Sequence, residues 1–213
     1  MIQSAEIPNG LCGKCKQLFS KRAMKPHLEK CFSDPRGRPM FLLSASGADY
    51  YWIYVAINES ATLEVLDKLL RDTWLECCGH LSAFNGDLET YTSDPEEEGE
   101  KGMDEAKIID AIPVGKSIWY EYDFGSTTEL LISNKEILNI KTAKQSLVLA
   151  RNEKPVLFCN LCCKTAAVLV DSFENREVCE KCSKKVDQDG LLPLINSPRT
   201  GTCGYTGNPR DLK

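Results

Sequence analysis

Cys159 and Cys162 are followed, sixteen residues on, by Cys179 and Cys182, a C-x2-C-x16-C-x2-C pattern. Little else in a chain is so restrictive. Two Cys-x-x-Cys knuckles at this separation are the signature of a zinc ribbon, with each knuckle at the tip of a hairpin. Ala166–Val170, apolar and between the knuckles, supplies a strand. A redox pair would need a thioredoxin-like βαβ surround, which the flanking sequence lacks. Cys163 is a surplus thiol that could replace Cys162 in a C-x3-C version, though the x2 knuckle is the commoner one.

A second cysteine cluster opens the chain. Cys12, Cys15, His27 and Cys31 follow the spacing C-x2-C-x11-H-x3-C, with Phe19 and Met24 between. His27 and Cys31 are four apart, hence one turn apart on one helix face. Four such ligands make a closed tetrahedral site, and metal binding supplies most of the folding energy of so small a unit. The pattern resembles the classical ββα zinc finger. Cys stands in place of the last His, and one residue is missing between Phe19 and Met24. Lys14, Lys16, Lys21, Arg22, Lys25 and Lys30 make this unit basic and are the candidate phosphate contacts. The sequence therefore predicts two bound Zn2+ ions.

Charge separates the ends from the middle. Residues 1–38 hold 8 Lys/Arg against 3 Asp/Glu, and residues 39–150 hold 8 against 20. A charge-driven nucleic-acid binder would use the N-terminal end, because the acidic middle repels phosphate. The first ten residues lack a basic stretch followed by an apolar core, and no apolar run approaches bilayer length. The expected location is cytoplasmic, where disulfides are disfavoured and eleven cysteines call for metal or redox chemistry.

With 213 residues and 42% apolar content there is room for one ordinary domain besides these small modules. Residues 50–57 (YYWIYVAI) read as a buried strand. Leu63, Leu66, Leu69, Leu70 and Trp74 recur at helical spacing, so 63–76 reads as an amphipathic helix stopped by Gly79. Strands follow around 81–91, 117–124, 128–133 and 147–150. Residues 33–48 are rich in breakers and read as a linker, with Met40–Leu43 pairing briefly with the core. Residues 93–105 read as an acidic surface loop without core residues. The predicted class is α+β: a central, mostly antiparallel sheet with one main helix, flanked by an N-terminal ββα-like finger and a C-terminal ribbon. The expected boundaries are 10–33 (finger), 48–150 (core), 155–186 (ribbon) and 187–213 (extended tail).

Two core segments carry a resemblance: Gly79-His-Leu-Ser-Ala-Phe84 and Tyr120-Glu-Tyr-Asp-Phe-Gly125. Together they resemble the plasmid Ri open-reading-frame-three-like family, some of whose members are passengers of insertion elements. The family pattern is His-Leu-x-x-Phe followed by Tyr-x-Tyr-Asp-Phe-Gly. The resemblance covers roughly residues 50–140 and implies a compact α+β domain without assigned chemistry. Many members continue with an Asp and then a Trp; this chain has Ser126-Thr127-Thr128. The closing stretch Asn196–Tyr205 resembles a zinc-bearing branch of the family.

Cys77, Cys78 and His80 lie close in sequence. Neighbouring cysteines on an extended segment point to opposite faces, which argues against a metal site. The sequence favours burial of this corner, with Leu81 and Phe84 in the core and His80 hydrogen-bonded to Asp123 or a backbone carbonyl. Cys203 reads as a free thiol or as packing the tail onto a module. The function this suggests is a zinc-binding adaptor, engaging a nucleic acid, protein or nucleoprotein partner through its zinc modules, with no catalytic residue assigned. The alternative is an enzyme of unknown reaction with a site near His80 and Asp123 and Cys77 or Cys78 as nucleophile.

Overall fold

The structure is a computed structural model and describes residues 6–95 and 100–208. Strands are β1 (Gly10–Cys12), β2 (Leu18–Phe19), β3 (Ser33–Gly47), β4 (Tyr51–Ile57), β5 (Ser82–Asn85), β6 (Thr90–Thr92), β7 (Lys101–Gly102), β8 (Ser117–Tyr122), β9 (Thr128–Ile140), β10 (Ser146–Asn152), β11 (Leu169–Asp171), β12 (Arg176–Val178) and β13 (Leu191–Pro193). Helices are α1 (Lys21–Phe32), α2 (Leu63–Leu70), α3 (Ile108–Ala111) and α4 (Glu180–Ser183). A ten-stranded sheet runs β2-β1-β10-β4-β3-β9-β8-β5-β6-β7, and a three-stranded sheet runs β12-β11-β13. Pairing is antiparallel except between β6 and β7. The α+β class with a mostly antiparallel sheet is as the sequence indicates.

The predicted linker is a strand. β3 lies between β4 and β9 and pairs with both, from Phe41↔Ile57 to Gly47↔Tyr51 on one side and across residues 33–46 on the other. Its breakers have a place in the ladder. A Cβ on Gly37 would stand 2.6 Å from the Ile140 backbone, so the close approach of β9 requires glycine there. The register shifts between Ser33 and Arg38 accommodate this segment.

Alternation along β3 and β4 feeds two cores. Phe41, Leu43, Ala45, Tyr51, Ile53, Val55 and Ile57 face α2, with Leu63, Leu66, Leu70 and Trp74 packed over them. Met40, Leu42, Trp52, Tyr54 and Ala56 face the other way and meet Met24 and Leu28 of α1, together with Cys12. The segment expected to form a finger is thus a layer of the main fold. β1 pairs with β10 and α1 covers the second face of the sheet. This corrects the expected boundary near residue 33.

Two further corrections concern the acidic segment and the tail. Residues 96–99 of the acidic insertion lie outside the described residues, but Lys101–Gly102 form β7 and Met103 is buried in the main core. The tail is not merely extended: β13 completes the three-stranded sheet against β11. Residues 196–205 then return to the large domain. Ser197 Oγ donates to the Trp74 carbonyl at 2.7 Å, and Arg199 is fully buried.

Because Leu28 serves both the finger and the sheet, Leu28→Ala is expected to destabilise the whole domain by about 2–5 kcal/mol, the usual cost of a buried leucine. Native-state hydrogen exchange should show β3 and β4 amides losing protection. Loss confined to residues 10–32 would mean that the finger folds as a separate unit.

Candidate metal centres

Three groups of Cys and His among the described residues bring four ligand atoms within 4.8 Å of one another. Each could hold a metal ion. Two thiolates on one tetrahedral zinc, each about 2.3 Å from it, stand about 3.8 Å apart. A disulfide would need about 2.05 Å.

The first group unites Cys12, Cys15, His27 and Cys31. Cys12 ends β1, Cys15 closes the following turn, and α1 presents His27 and Cys31 from one face. Ser20 caps α1 by accepting the Ala23 N–H at 3.3 Å. The Cys12 and Cys31 sulfurs are 3.9 Å apart, and Cys15 Sγ lies 3.3 Å from His27 Nε2. Phe19 stacks on the His27 ring at 4.0 Å and fixes its orientation. Burial raises the Cys12 thiol, but the backbone N–H groups of Cys15 and Lys14, with His27, bring it down to about 7. Cys31 is pushed up to about 11, first by burial and then by Cys12. A cation between the two sulfurs would let both ionise.

The second group unites Cys159, Cys162, Cys179 and Cys182. Cys162 Sγ and Cys179 Sγ are 4.0 Å apart. The Lys164 and Thr165 backbone N–H groups hold Cys162 down to about 6, whereas the neighbouring Cys179, then burial, pushes Cys182 up to about 12. Val178, Leu169 and Leu191 form a small apolar layer against these ligands. Cys163 is exposed with φ +53°, its sulfur toward the Asn160 carbonyl, outside the set.

The third group was missed by the sequence reading: Cys77, Cys78, His80 and Cys203. Vicinal cysteines point to opposite faces only where the segment is extended. In the structure α2 ends in a π-helical turn, Arg71–Leu75, and the chain bends through Cys77 and Cys78 into Gly79 at φ +80°. The two sulfurs therefore sit on one side, 3.6 Å apart. Cys78 Sγ is 3.0 Å from His80 Nε2 and 3.7 Å from Cys203 Sγ, and His80 Nε2 is 3.3 Å from Cys203 Sγ. Leu81, expected in the core, is 46% exposed, while Phe84 is buried.

The Tyr-x-Tyr-Asp-Phe-Gly motif builds the wall behind this group. Tyr120 and Ser82 hydroxyls both donate to the buried Asp67 Oδ1. Tyr122 lies between the Arg71 and Arg199 guanidiniums, 5.1 and 4.8 Å from its ring centre. Phe124 is half exposed. Asp123 adopts φ +65°, and its Oδ1 accepts the Gly125 and Ser126 N–H groups. Its Oδ2 is 2.5 Å from Arg199 Nη2 and 3.4 Å from His80 Nε2. The His80–Asp123 contact foreseen from sequence is present, but the main partner of Asp123 is Arg199.

The basic residues of the finger have diverse surroundings. Lys14 donates to the Cys31 carbonyl at 2.5 Å. Lys25 pairs with Glu29 and Glu136 at 2.6 and 3.0 Å. Lys21 is partly buried, and burial, with Lys135, lowers its pKa. Lys16, Arg22 and Lys30 are exposed.

No family model matches the chain, and no curated protein matches it. Among solved structures it is similar to a protein of unknown function from Methanosarcina mazei Go1, at 21% identity and TM-score 0.44, over 55% of this chain and 66% of that one. No helix among the described residues is long and apolar enough to cross a membrane.

Arg199 is fully buried and its charge is met by Asp123. Asp123→Ala should therefore lower unfolding free energy by about 3–5 kcal/mol, the cost of stranding one member of a buried pair. Denaturant titration measures it. A cost below about 1 kcal/mol, as for an exposed pair, would contradict this placement.

Proposed function

We propose that this chain is a zinc-stabilised binding protein, and that Cys12, Cys15, His27, Cys31 and Cys159, Cys162, Cys179, Cys182 each hold one Zn2+. The observation that carries the reading is the closure of both sets. Four protein ligands converge on one point in each, leaving no position for substrate or water, which is the pattern of structural rather than catalytic zinc. The arrangement outside them supports it too: the buried acids Asp67 and Asp123 are spent on Tyr120, Ser82 and Arg199. His80, the base of the enzyme alternative, has its Nε2 shared between two sulfurs.

The partner surface in this proposal is the exposed basic rim of the finger, Lys16, Arg22 and Lys30, beside Lys14. It suits phosphate of a nucleic acid or nucleoprotein. The helix face carrying Met24 and Leu28 is covered by the sheet, which leaves the opposite face, with Arg22 and Lys30, for contact. Family membership belongs to the same proposal. What supports it is that the two motifs meet at one corner, where His80 and Asp123 approach to 3.4 Å. A cytoplasmic setting fits the free thiols.

Elemental analysis of full-length protein should show one zinc lost in Cys15→Ser and one in Cys182→Ser. Retention of all metal in either variant would remove that site. For the partner, electrophoretic binding to duplex RNA and DNA across a salt series should give a slope of roughly −2 to −3, as three phosphate contacts imply. Charge reversal at Lys16, Arg22 and Lys30 should flatten it. Absence of binding at low salt would take nucleic acid out of the proposal and leave protein contact.

A further inference from the structure

We propose that Cys77, Cys78, His80 and Cys203 form a third zinc site, a clasp that fixes the C-terminal segment to the corner between α2 and β5. The ligands come from two stretches that sequence separates by 125 residues between Cys78 and Cys203. Nothing in the covalent chain requires these groups to meet. Yet three sulfurs and one imidazole nitrogen converge within 4.8 Å, with sulfur–sulfur separations of 3.6 and 3.7 Å. These match the edge of a tetrahedron around zinc, about 3.8 Å. They are nearly twice a disulfide length of about 2.05 Å.

A nucleophile–base pair fits less well. Cys78 Sγ and Cys203 Sγ both approach the same nitrogen, His80 Nε2, at 3.0 and 3.3 Å. One nitrogen cannot serve as base to both, but it can be the fourth corner of a set of ligands. Three soft thiolates and an imidazole make the Cys3His donor set of structural zinc.

The wall beside the group is ordered by Arg199. Its buried guanidinium lies against Cys77 while its charge is paired with Asp123. Asp123 holds that guanidinium at 2.5 Å and also stands 3.4 Å from His80 Nε2. Arg199 further donates to the Ser126 carbonyl and Thr128 Oγ1, both at 3.1 Å. Metal and arginine thus tie the same segment down, one through Cys203 and the other four residues earlier. Turns at 199–202 and 202–205 bring both to the same wall.

Exposure separates this site from the other two. Cys78 and Cys203 are exposed, and Cys77 and His80 are partly so. The ribbon set has Cys159, Cys179 and Cys182 buried, and the finger set has Cys12 buried. The third zinc should therefore leave first when a chelator competes.

The test uses full-length protein purified without chelator. Three equivalents of zinc are expected. A chromogenic chelator should remove one equivalent in a fast phase, and alkylation mapped by mass spectrometry should mark Cys77, Cys78 and Cys203 in step with it. That mapping needs no variant. Cys203→Ser and Cys78→Ser should each retain two equivalents and lack the fast phase. In Cys203→Ser, trypsin should cut after Arg199 several-fold faster. The finger and ribbon assignments fail separately, through Cys15→Ser and Cys182→Ser, which should leave the fast phase intact. Two equivalents in the unmodified protein, with Cys203 alkylated at the rate of a free thiol, would overturn the proposal. So would three equivalents retained in folded Cys203→Ser.

Discussion

Strands β3 and β4 are apolar on both sides, so the large sheet must be covered twice. One cover is α2, held by ordinary helical burial of Leu63, Leu66, Leu70 and Trp74. The other is α1, whose helix presents only Met24 and Leu28 as fully buried residues. So small an apolar contribution does not hold a helix with Pro26 inside it by packing alone. The first cluster of ligands ties α1 to β1, and β1 is hydrogen-bonded to β10. In this account metal at the N-terminal end belongs to the stability of the whole sheet.

The opposite end of the chain uses the same principle in two places. The three-stranded module has two small apolar clusters, one of Val178, Leu169 and Leu191 around its cysteines and one of Leu157, Ala167, Val170 and Leu194 against Tyr50. Beyond β13 the chain crosses back to the main domain through Asn196, which exchanges hydrogen bonds with Asn152, and through the Arg199–Asp123 pair. Cys203 closes the return at the third cluster. Burial and then Cys12 push Cys31 up, Cys179 and then burial push Cys182 up, and backbone N–H groups hold Cys12 and Cys162 down. A divalent cation in each of these two groups would favour the ionised form of all its thiols.

Legibility in the sequence followed the range of the interaction. Cys12/Cys15 and Cys159/Cys162 announce themselves because a knuckle is local, and His27 and Cys31 because a helix turn is local. The strand at 51–57 and the helix from Leu63 were readable from residue type and period. β3 was hidden because Pro35, Gly37 and Pro39 look like linker, whereas Gly37 is demanded by the approach of Ile140, a non-local cause. The third group was hidden twice over. Its geometry depends on a π-helical turn that the helical pattern does not distinguish from α, and its fourth ligand arrives from the far end of the chain. The segment Tyr-x-Tyr-Asp-Phe-Gly stood out in the sequence, but its partner Arg199 had no spacing signal.

On the proposed reading, three closed metal centres hold the ends of this chain to its sheet. Anomalous diffraction at the zinc absorption edge, on crystals of full-length protein grown without added metal, addresses it directly. Three peaks are expected, one inside each Cys/His group, with Cys203 a ligand of the peak beside Asp123. Disulfides in place of the peaks, or a fold intact with those positions empty, would contradict it.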